Sequence, residues 1–185
     1  MASSSTVPSS RGEIFSKYHI PSDFLAITYG CLIDQLVQDY GDPNSVSQIV
    51  QKMGVHMGKR MADEILAKSN PLPCTSYKQS VDACAQIGFK MLLNVDASVT
   101  QIQDNIFIIS FQNNPLTEFV ELPSNMKKLW YSNVICGVIE GVFDTLKLNV
   151  ACSFIADKLR DADINQIKIE VKGATKETIS ESFET

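Results

Sequence analysis

The sequence predicts an α+β domain with an antiparallel sheet, and three observations support this class. Three helical patterns come first, with apolar residues recurring at i, i+3 and i+4. The period then changes from 3.6 to 2 for a hairpin. A fourth helical pattern and two alternating segments follow. Helices that precede neighbouring strands are typical of α+β domains rather than of alternating βαβ folds.

The first three helices are predicted from their apolar faces and their end signals. The first spans about 23–40, with Ser22 as its N-cap. The second spans about 46–68 and ends at the SNPLP segment, because proline cannot continue a helix. The third begins at position 75 or 76 and extends to about 93, where the helical period stops.

Four segments alternate between apolar and polar residues and are predicted as strands. Segments 98–103 and 105–111 form a hairpin with Asp104-Asn105 near its turn. Segments 149–156 and 165–172 close the domain. The last one alternates most regularly, as expected of a strand with one buried face.

The block NNPLTEFVELPSNMKKLWYSNVICGVIEGVF predicts a turn, a short strand over 119–122, and a helix over 124–148 capped by Ser124. This helix carries the glycine pair Gly137–Gly141, and the second helix carries Gly54–Gly58. Each glycine costs a helix about 1 kcal/mol relative to alanine, so both pairs indicate close helix crossings.

Composition and charge indicate one globular domain that does not bind nucleic acid. The 185 residues are 44% hydrophobic and 20% charged, and the net charge is -5 without a Lys/Arg block. We expect a disordered arm over 1–21, a folded domain over 22–172 and a mobile tail over 173–185. No apolar segment approaches the ~20 residues of a membrane span, and no secretory signal is recognised.

The sequence offers no catalytic or metal-binding constellation. The five cysteines lack CxxC spacing and are odd in number, which suits reduced thiols in the cytosol. His19 and His56 belong to no Cys–His or Ser–His–Asp signature, and His56 is interpreted as structural. Clustered metal ligands and a Gly-rich phosphate loop are also missing from the sequence.

Two sets of side chains leave alternatives open. A methionine stripe is interpreted as core, with a deformable ligand pocket as the alternative; it comprises Met53, Met57, Met61 and Met91. The basic pairs Lys59–Arg60 and Lys127–Lys128 are interpreted as solvated surface. Their alternative is a patch that faces anionic membranes.

Four blocks of this sequence, in order, resemble the Bet-three branch of the TRAPP (transport protein particle) small subunits. They are FLAITYGCLIDQL, KMGxxMGxRMxxxxLAKSN, CTSYKQSVDACAQIGFKM, and NNPLxxFVELP continued by YSNxxCGVxxG. The resemblance covers about residues 22–172, the size of one domain. It implies helices packed on one side of a twisted four-stranded antiparallel sheet, in a single domain that dimerises through its helices. One of the two glycine crossings is then a candidate contact between subunits.

The resemblance also implies a function. By this resemblance, the chain is expected to be a non-enzymatic core subunit of a vesicle-tethering complex in endoplasmic reticulum-to-Golgi transport. Such subunits scaffold nucleotide exchange on a Rab-type GTPase only when several are assembled. The implied partners are a second copy, other TRAPP small subunits and the surface of Golgi or vesicle membranes. The implied location is the cytoplasm, peripherally associated with cis-Golgi and endoplasmic reticulum membranes.

Cys74 is the candidate functional residue. It follows Pro73 immediately before the third helix, where the helix N-terminus favours a thiolate. From the residues alone, a half-buried loop cysteine is favoured. The resemblance implies instead that a fatty acyl chain, palmitoyl in type, is attached to Cys74 and lies in an internal apolar channel. Ala83, Ala85 and Gly88 are then candidates for the small residues lining it.

The alternative function is a stand-alone lipid or small-ligand binding protein. The fold is shared with ligand-binding domains that include haem-type gas sensors. A haem would require an axial histidine facing the pocket, and His56 is the candidate for that role. A stand-alone carrier would use its pocket without other subunits.

Overall fold

A computed structural model of the protein describes residues 21–69 and 76–174. These residues form four helices: α1 (Ser22–Tyr40), α2 (Pro43–Ser69), α3 (Tyr77–Ala83, a π-helical turn over Cys84–Gly88, then Phe89–Leu93) and α4 (Asn133–Thr145). They also form four strands: β1 (Ala97–Gln103), β2 (Ile106–Phe111), β3 (Leu148–Ala156) and β4 (Asn165–Ala174). The predicted α+β class is confirmed.

The strands form one antiparallel sheet in the order β1-β2-β4-β3. Its two central strands pair Ile109 with Ile167 and Phe107 with Ile169, and all four side chains are buried on the helix-covered face. Lys168 alternates with these residues and lies on the opposite face. The single domain, with helices on one side of an open antiparallel sheet, agrees with the fold expected from the resemblance.

Helix α4 is the centre of the fold, between α2 and β3. Nine of its thirteen residues are buried, so it contributes little surface to solvent. The Glu140 carboxylate accepts hydrogen bonds from the Cys152 backbone N–H (2.8 Å) and from Gln51 Nε2 (3.0 Å). One side chain therefore connects α2, α4 and β3 in the interior.

The predicted close helix crossing is between α2 and α4 of the same chain. A Cβ added to Gly137 would lie 2.9 Å from Gly54 Cα and against the Gln51 carbonyl oxygen. Gly58 and Gly141 sit equally close to the backbone of the opposite helix. Both glycine pairs therefore meet each other within one chain, and the suggestion that one crossing lies between subunits is wrong for these glycines.

The predicted start of the fourth helix is wrong. Ser124 begins a short 3-10 turn (Ser124–Met126), and α4 begins only at Asn133. The intervening chain is tied to α2 by Ser47, whose hydroxyl accepts a hydrogen bond from the Trp130 N–H (3.0 Å) and whose carbonyl accepts one from Asn133 Nδ2 (3.1 Å). These tertiary bonds replace the helical bonds that the pattern predicted.

The predicted strand over 119–122 is also absent. The segment is a turn followed by irregular chain, and Phe119 remains 60% exposed. β2 is already paired on both sides, by β1 and β4, so the segment that follows it has no free edge of that strand to join. Apolar composition alone therefore predicted a strand that the sheet topology does not accommodate.

The remaining boundaries differ by a few residues. Ser22 is the first residue of α1 rather than its N-cap, a position that Pro21 occupies without a side-chain bond. β4 continues through Gly173 and Ala174, which were assigned to the tail. The rest of the predicted arm and tail, 1–20 and 175–185, lies outside the described residues. Over the described part of the chain, no helix is long and apolar enough to cross a membrane.

Candidate functional site: an apolar cavity bordered by all four helices

A cavity of about 540 Å³ lies among the four helices. This volume is within the range of about 300–1,000 Å³ found for small-molecule pockets. Among the described lining residues, only Thr28, Tyr29 and Cys84 carry a polar side-chain atom, and none is charged. The cavity is therefore suited to a hydrocarbon chain and offers very little to a polar ligand.

The space beside α3 exists because two small residues share one face of its π-helical turn. Gly88 and Cys84 both line the cavity. A Cβ added to Gly88 would meet only Cys84 Sγ, at 3.9 Å, which is ordinary van der Waals contact. The missing side chain at Gly88 therefore leaves open space. π-helical turns occur often at functional sites in proteins.

On the side of α1, the wall is held by a pair of tyrosines. The Tyr29 hydroxyl donates a buried hydrogen bond to the Tyr131 carbonyl, and the two rings meet edge to face with centroids 5.2 Å apart. Burial raises the pKa of Tyr29 well above its ordinary value, so the phenol stays protonated and remains a donor. This bond anchors the middle of α1 while leaving apolar side chains on the cavity side.

The methionine stripe of α2 lines the cavity. Met53, Met57 and Met61 follow one another at one-turn spacing along this wall, so the alternative of a deformable ligand pocket describes them better than core filling. Met91 is not among the lining residues and packs in a small cluster around Ala62 and Val142. Unbranched thioether side chains can adjust their rotamers to a flexible ligand.

The NNPL motif contributes to the cavity through Leu116. Asn114 is the N-cap of the 3-10 turn Pro115–Thr117, where its Oδ1 accepts a hydrogen bond from the Leu116 N–H (3.2 Å). Its Nδ2 donates to Ser132 Oγ (2.7 Å). This buried asparagine directs Leu116 into the cavity wall, a role that the NNPL pattern alone does not predict. The turn could be predicted from the residues of this motif, but the contact of Leu116 with the cavity could not.

The candidate residues on α3 separate into one that lines the cavity and two that do not. Gly88 lines it. Ala85 is fully buried in the main core, and Ala83 is half-buried outside the lining set. Cys74 lies outside the described residues, two positions before Ser76, whose hydroxyl caps α3 by accepting from the Gln79 N–H (3.3 Å). Cys84 was missed, although its spacing of four from Gly88 predicts the same helix face.

Three of the described thiols are poor nucleophiles. Cys84 faces the apolar cavity, and this desolvation raises its pKa to about 12. Desolvation likewise raises the pKa of Cys136 and of Cys152 well above the ordinary value. Because the thiolate is the reactive form, these residues are unsuited to acyl transfer at neutral pH. Cys31 is exposed on α1.

Charged residues around the site have ordinary surface roles. Lys59 pairs with Asp144 (2.7 Å) and Lys127 pairs with Asp161 (2.9 Å), so one lysine of each basic pair already has a partner. His56 is exposed on α2 and is not among the cavity-lining residues, which removes the histidine considered for haem. Within 21–69 and 76–174, no cluster of metal-binding side chains occurs.

Comparison with known proteins decides the family. The model of the Transport protein particle (TRAPP) component family matches residues 25–170. The chain belongs to the TRAPP family. Among curated relatives, it is 35% identical to "Trafficking protein particle complex subunit 3" of Dictyostelium discoideum over 176 residues, which is 93% of this chain and 95% of that protein. It is 34% identical to "Transport protein particle subunit bet3" of Schizosaccharomyces pombe, over 86% of this chain and 88% of the relative.

A solved TRAPP structure has the same fold. The crystal structure of a trafficking protein particle complex subunit 3 from Naegleria fowleri covalently bound to palmitic acid superposes with a TM-score of 0.81. It is 36% identical in sequence and covers 84% of this chain and 98% of that chain. The predicted Bet-three resemblance is therefore confirmed. These TRAPP relatives are named as subunits of a trafficking complex rather than as enzymes.

Proposed function

We propose that the cavity holds a palmitoyl-type acyl chain attached to Cys74 through a thioester. The observation that carries this proposal is a hydrocarbon-lined volume of about 540 Å³ beside α3, the helix that begins just after Cys74. Cys74 lies two residues before Ser76, so at most about 7 Å of extended chain separates their Cα atoms. The covalent palmitate of the Naegleria fowleri relative supports the same chemistry.

The acyl chain would contribute strongly to the stability of the domain. A buried methylene contributes about 0.8 kcal/mol, so a palmitoyl chain enclosed along its length would contribute on the order of 10 kcal/mol. This is similar to the whole free energy of unfolding of an ordinary domain, about 5–15 kcal/mol. The acyl chain therefore serves as part of the hydrophobic core, and the protein without an acyl chain retains an apolar void.

At the level of the cell, we propose a non-enzymatic core subunit of a TRAPP vesicle-tethering complex in endoplasmic reticulum-to-Golgi transport. The proposed partners are a second copy and other TRAPP small subunits. In the assembled complex, this subunit and its partners together scaffold nucleotide exchange on a Rab-type GTPase. The proposed location is the cytoplasm, peripherally on cis-Golgi and endoplasmic reticulum membranes. The subunit names of the relatives support assembly into a complex.

Intact mass spectrometry tests the thioester directly. The purified full chain should carry a fatty-acyl mass that neutral hydroxylamine removes, and Cys74→Ser should lack it. Cys31→Ser is the matched control, because Cys31 is the exposed thiol of α1 and its replacement should leave the acyl mass unchanged. An acyl mass that persists in Cys74→Ser, or that disappears in Cys31→Ser, assigns the wrong cysteine and overturns the proposal.

A co-purification experiment separates the complex subunit from the stand-alone lipid carrier, which the cavity alone would also suit. A tagged full chain is expressed in cells with tagged TRAPP small subunits and recovered at physiological salt. A subunit should retain other TRAPP small subunits in fixed ratio. Recovery of the acyl-bearing chain without any of them would favour the carrier and overturn the assignment to the complex.

A further inference from the structure

A second pocket, of about 210 Å³, lies between α1 and the segment 120–131 that precedes α4. Among the described residues, it shares no lining residue with the cavity of the four helices. Its volume is below the range of about 300–1,000 Å³ that is typical of small-molecule pockets, so it has room for one side chain rather than for a whole ligand. Its floor is apolar and includes Ile33 and Val37 of α1 and Leu122 of the segment.

The charged residues that line this pocket are both acidic. Asp34 belongs to α1 and Glu121 to the segment, and both are exposed. Asp34 accepts a hydrogen bond from Gln38 Nε2 (2.8 Å), but over residues 21–69 and 76–174 neither carboxylate takes part in a salt bridge. Helix α1 carries no lysine or arginine. Two carboxylates beside an apolar floor are suited to a cation on an aliphatic stem, which is the chemistry of an arginine or lysine side chain.

The pocket also has a buried hydroxyl without a partner. Tyr131 lines the pocket and is 3% exposed, and its Oη has no hydrogen-bond partner among the described residues. This oxygen lies at the α1 wall, 3.4 Å from the position that a Cβ of Gly30 would occupy. Burial raises the pKa of Tyr131 to about 12, so the hydroxyl is neutral and can accept an N–H. A guanidinium favours this site over an ammonium, because its fork of five donors can serve the hydroxyl and both carboxylates together.

The chain carries a suitable arginine close to this pocket. The arm that precedes α1, residues 1–20, contains Arg11 and Lys17. Asp34 lies thirteen positions after Pro21, which is about 20 Å along the helix. Arg11 is ten residues before Pro21 and can reach about 33 Å in extended chain, whereas Lys17 can reach only about 13 Å. Charge and reach together therefore select Arg11 as the occupant.

We propose that this pocket binds the Arg11 side chain of the chain's own N-terminal arm. The guanidinium lies between Asp34 and Glu121, one of its N–H groups donates to Tyr131 Oη, and its methylenes cover the apolar floor. The docked arm then links α1 to the segment 120–131. The acyl chain takes no part in this contact, so the inference is independent of the proposed function.

The tether makes a weak site sufficient. At an effective concentration of about 2 mM for a flexible arm, a pocket with a dissociation constant of about 1 mM is occupied in roughly two thirds of the molecules. Trypsin must take the Arg11 side chain into its own specificity pocket, so it can cleave only the released arm. When docking and release are fast, cleavage follows the released fraction, and docking should slow cleavage after Arg11 about threefold.

Limited trypsin digestion of the full chain tests this prediction. Intact mass spectrometry gives the initial rates of cleavage after Arg11 and after Lys17 in the same sample. The double variant Asp34→Asn/Glu121→Gln should speed cleavage after Arg11 about threefold, because the docked fraction is lost. Cleavage after Lys17 should be unchanged. A change of less than about 1.5-fold at Arg11 would overturn the inference.

The matched control is Asp39→Asn/Glu118→Gln. It removes the same charge from two exposed residues, one on α1 and one just before the segment, and neither lines the pocket. Its cleavage rates should equal those of wild type. If this control speeds cleavage after Arg11 as much as the pocket variant does, general charge attraction explains the protection, and the pocket is the wrong site.

Hydrogen exchange measures the effect on the pocket itself. In Arg11→Gln, amides of the segment 120–131 should exchange at least about twofold faster than in wild type, because the link to α1 is lost. Lys17→Gln should leave them unchanged, and an equal effect of the two variants would overturn the choice of Arg11. Protection of Arg11 from trypsin that grows with protein concentration would place the arm of a second copy in the pocket and overturn docking within one chain.

Discussion

Replacing Gly88 with leucine should fill the cavity beside α3 without disturbing the fold. The site is a helical position with ordinary backbone angles, and an added Cβ has only Cys84 Sγ within 4 Å. The leucine side chain can therefore extend into the existing space of about 540 Å³ rather than into packed neighbours. The added carbons would occupy room that the proposed acyl chain uses.

Two opposite effects on stability follow from this substitution. In the protein without an acyl chain, leucine is a better helix former than glycine by roughly 0.7 kcal/mol, and its burial adds about 1.5–3 kcal/mol at most. The deacylated variant should therefore be more stable by about 1–3 kcal/mol. In the acylated protein, four carbons of leucine displace about four methylenes, which removes about 3 kcal/mol of acyl-chain stabilisation.

Urea unfolding measures both effects. The free energy of unfolding is compared between acylated and hydroxylamine-treated forms of wild type, Gly88→Leu and Ala83→Leu. The difference between the two forms should shrink by about 3 kcal/mol in Gly88→Leu. It should be unchanged in Ala83→Leu, because Ala83 is on the same helix outside the cavity. If the deacylated Gly88→Leu protein is destabilised, or if its acyl chain stabilises it as fully as in wild type, the assignment of this cavity is refuted.

Further substitutions test the framework of the fold, each by urea unfolding. Gly137→Ala should lower the free energy of unfolding by at least about 3 kcal/mol, because the backbone of α2 leaves no room for a methyl group. Gly88→Ala is the control and should raise the free energy of unfolding by about 1 kcal/mol. Equal effects of the two substitutions would refute the close crossing of α2 and α4. Tyr29→Phe should cost about 1–3 kcal/mol, since the buried carbonyl of Tyr131 loses its donor; an unchanged midpoint would contradict this role. Burial raises the pKa of Asp157, so the folded protein binds more protons than the unfolded chain just above about pH 4, and stability is lost as pH rises through that window. Asp157→Asn should lessen this loss, and an identical pH profile would show that the residue does not cause it.

Local patterns predicted most of the fold because each element carried its own periodicity. The alternation around Ile167 and Ile169 predicted both the strand and its buried face. The start of α4 could not be predicted in this way. Leu129 and Tyr131 are buried and Trp130 is half-buried, although three consecutive side chains cannot share one helix face. That run was a local sign of irregular chain, but the bonds to Ser47 that hold it come from a distant helix.

The cavity was harder to predict than the elements that enclose it. A methionine that lines a void and one that fills a core have the same apolar character, so Met57 could not be assigned from helical spacing. Gly88 and Ala85 were equally small candidates, yet only Gly88 faces the cavity while Ala85 packs in the core. What distinguishes them is the rotation of α3 through its π-helical turn, which residue size does not encode.

The glycine contact between α2 and α4 has a consequence for how a ligand enters. Two backbones in direct contact have no side chains between them that could change rotamer to make room. The partly buried hydrogen bonds of Glu140 also fix α2 and α4 to β3. Any opening of the cavity must therefore come from α1 or α3, and only three of the nineteen residues of α1 are buried. In hydrogen exchange, amides of α4 should open only with global unfolding, while those of α1 should exchange through smaller openings that also admit the acyl chain.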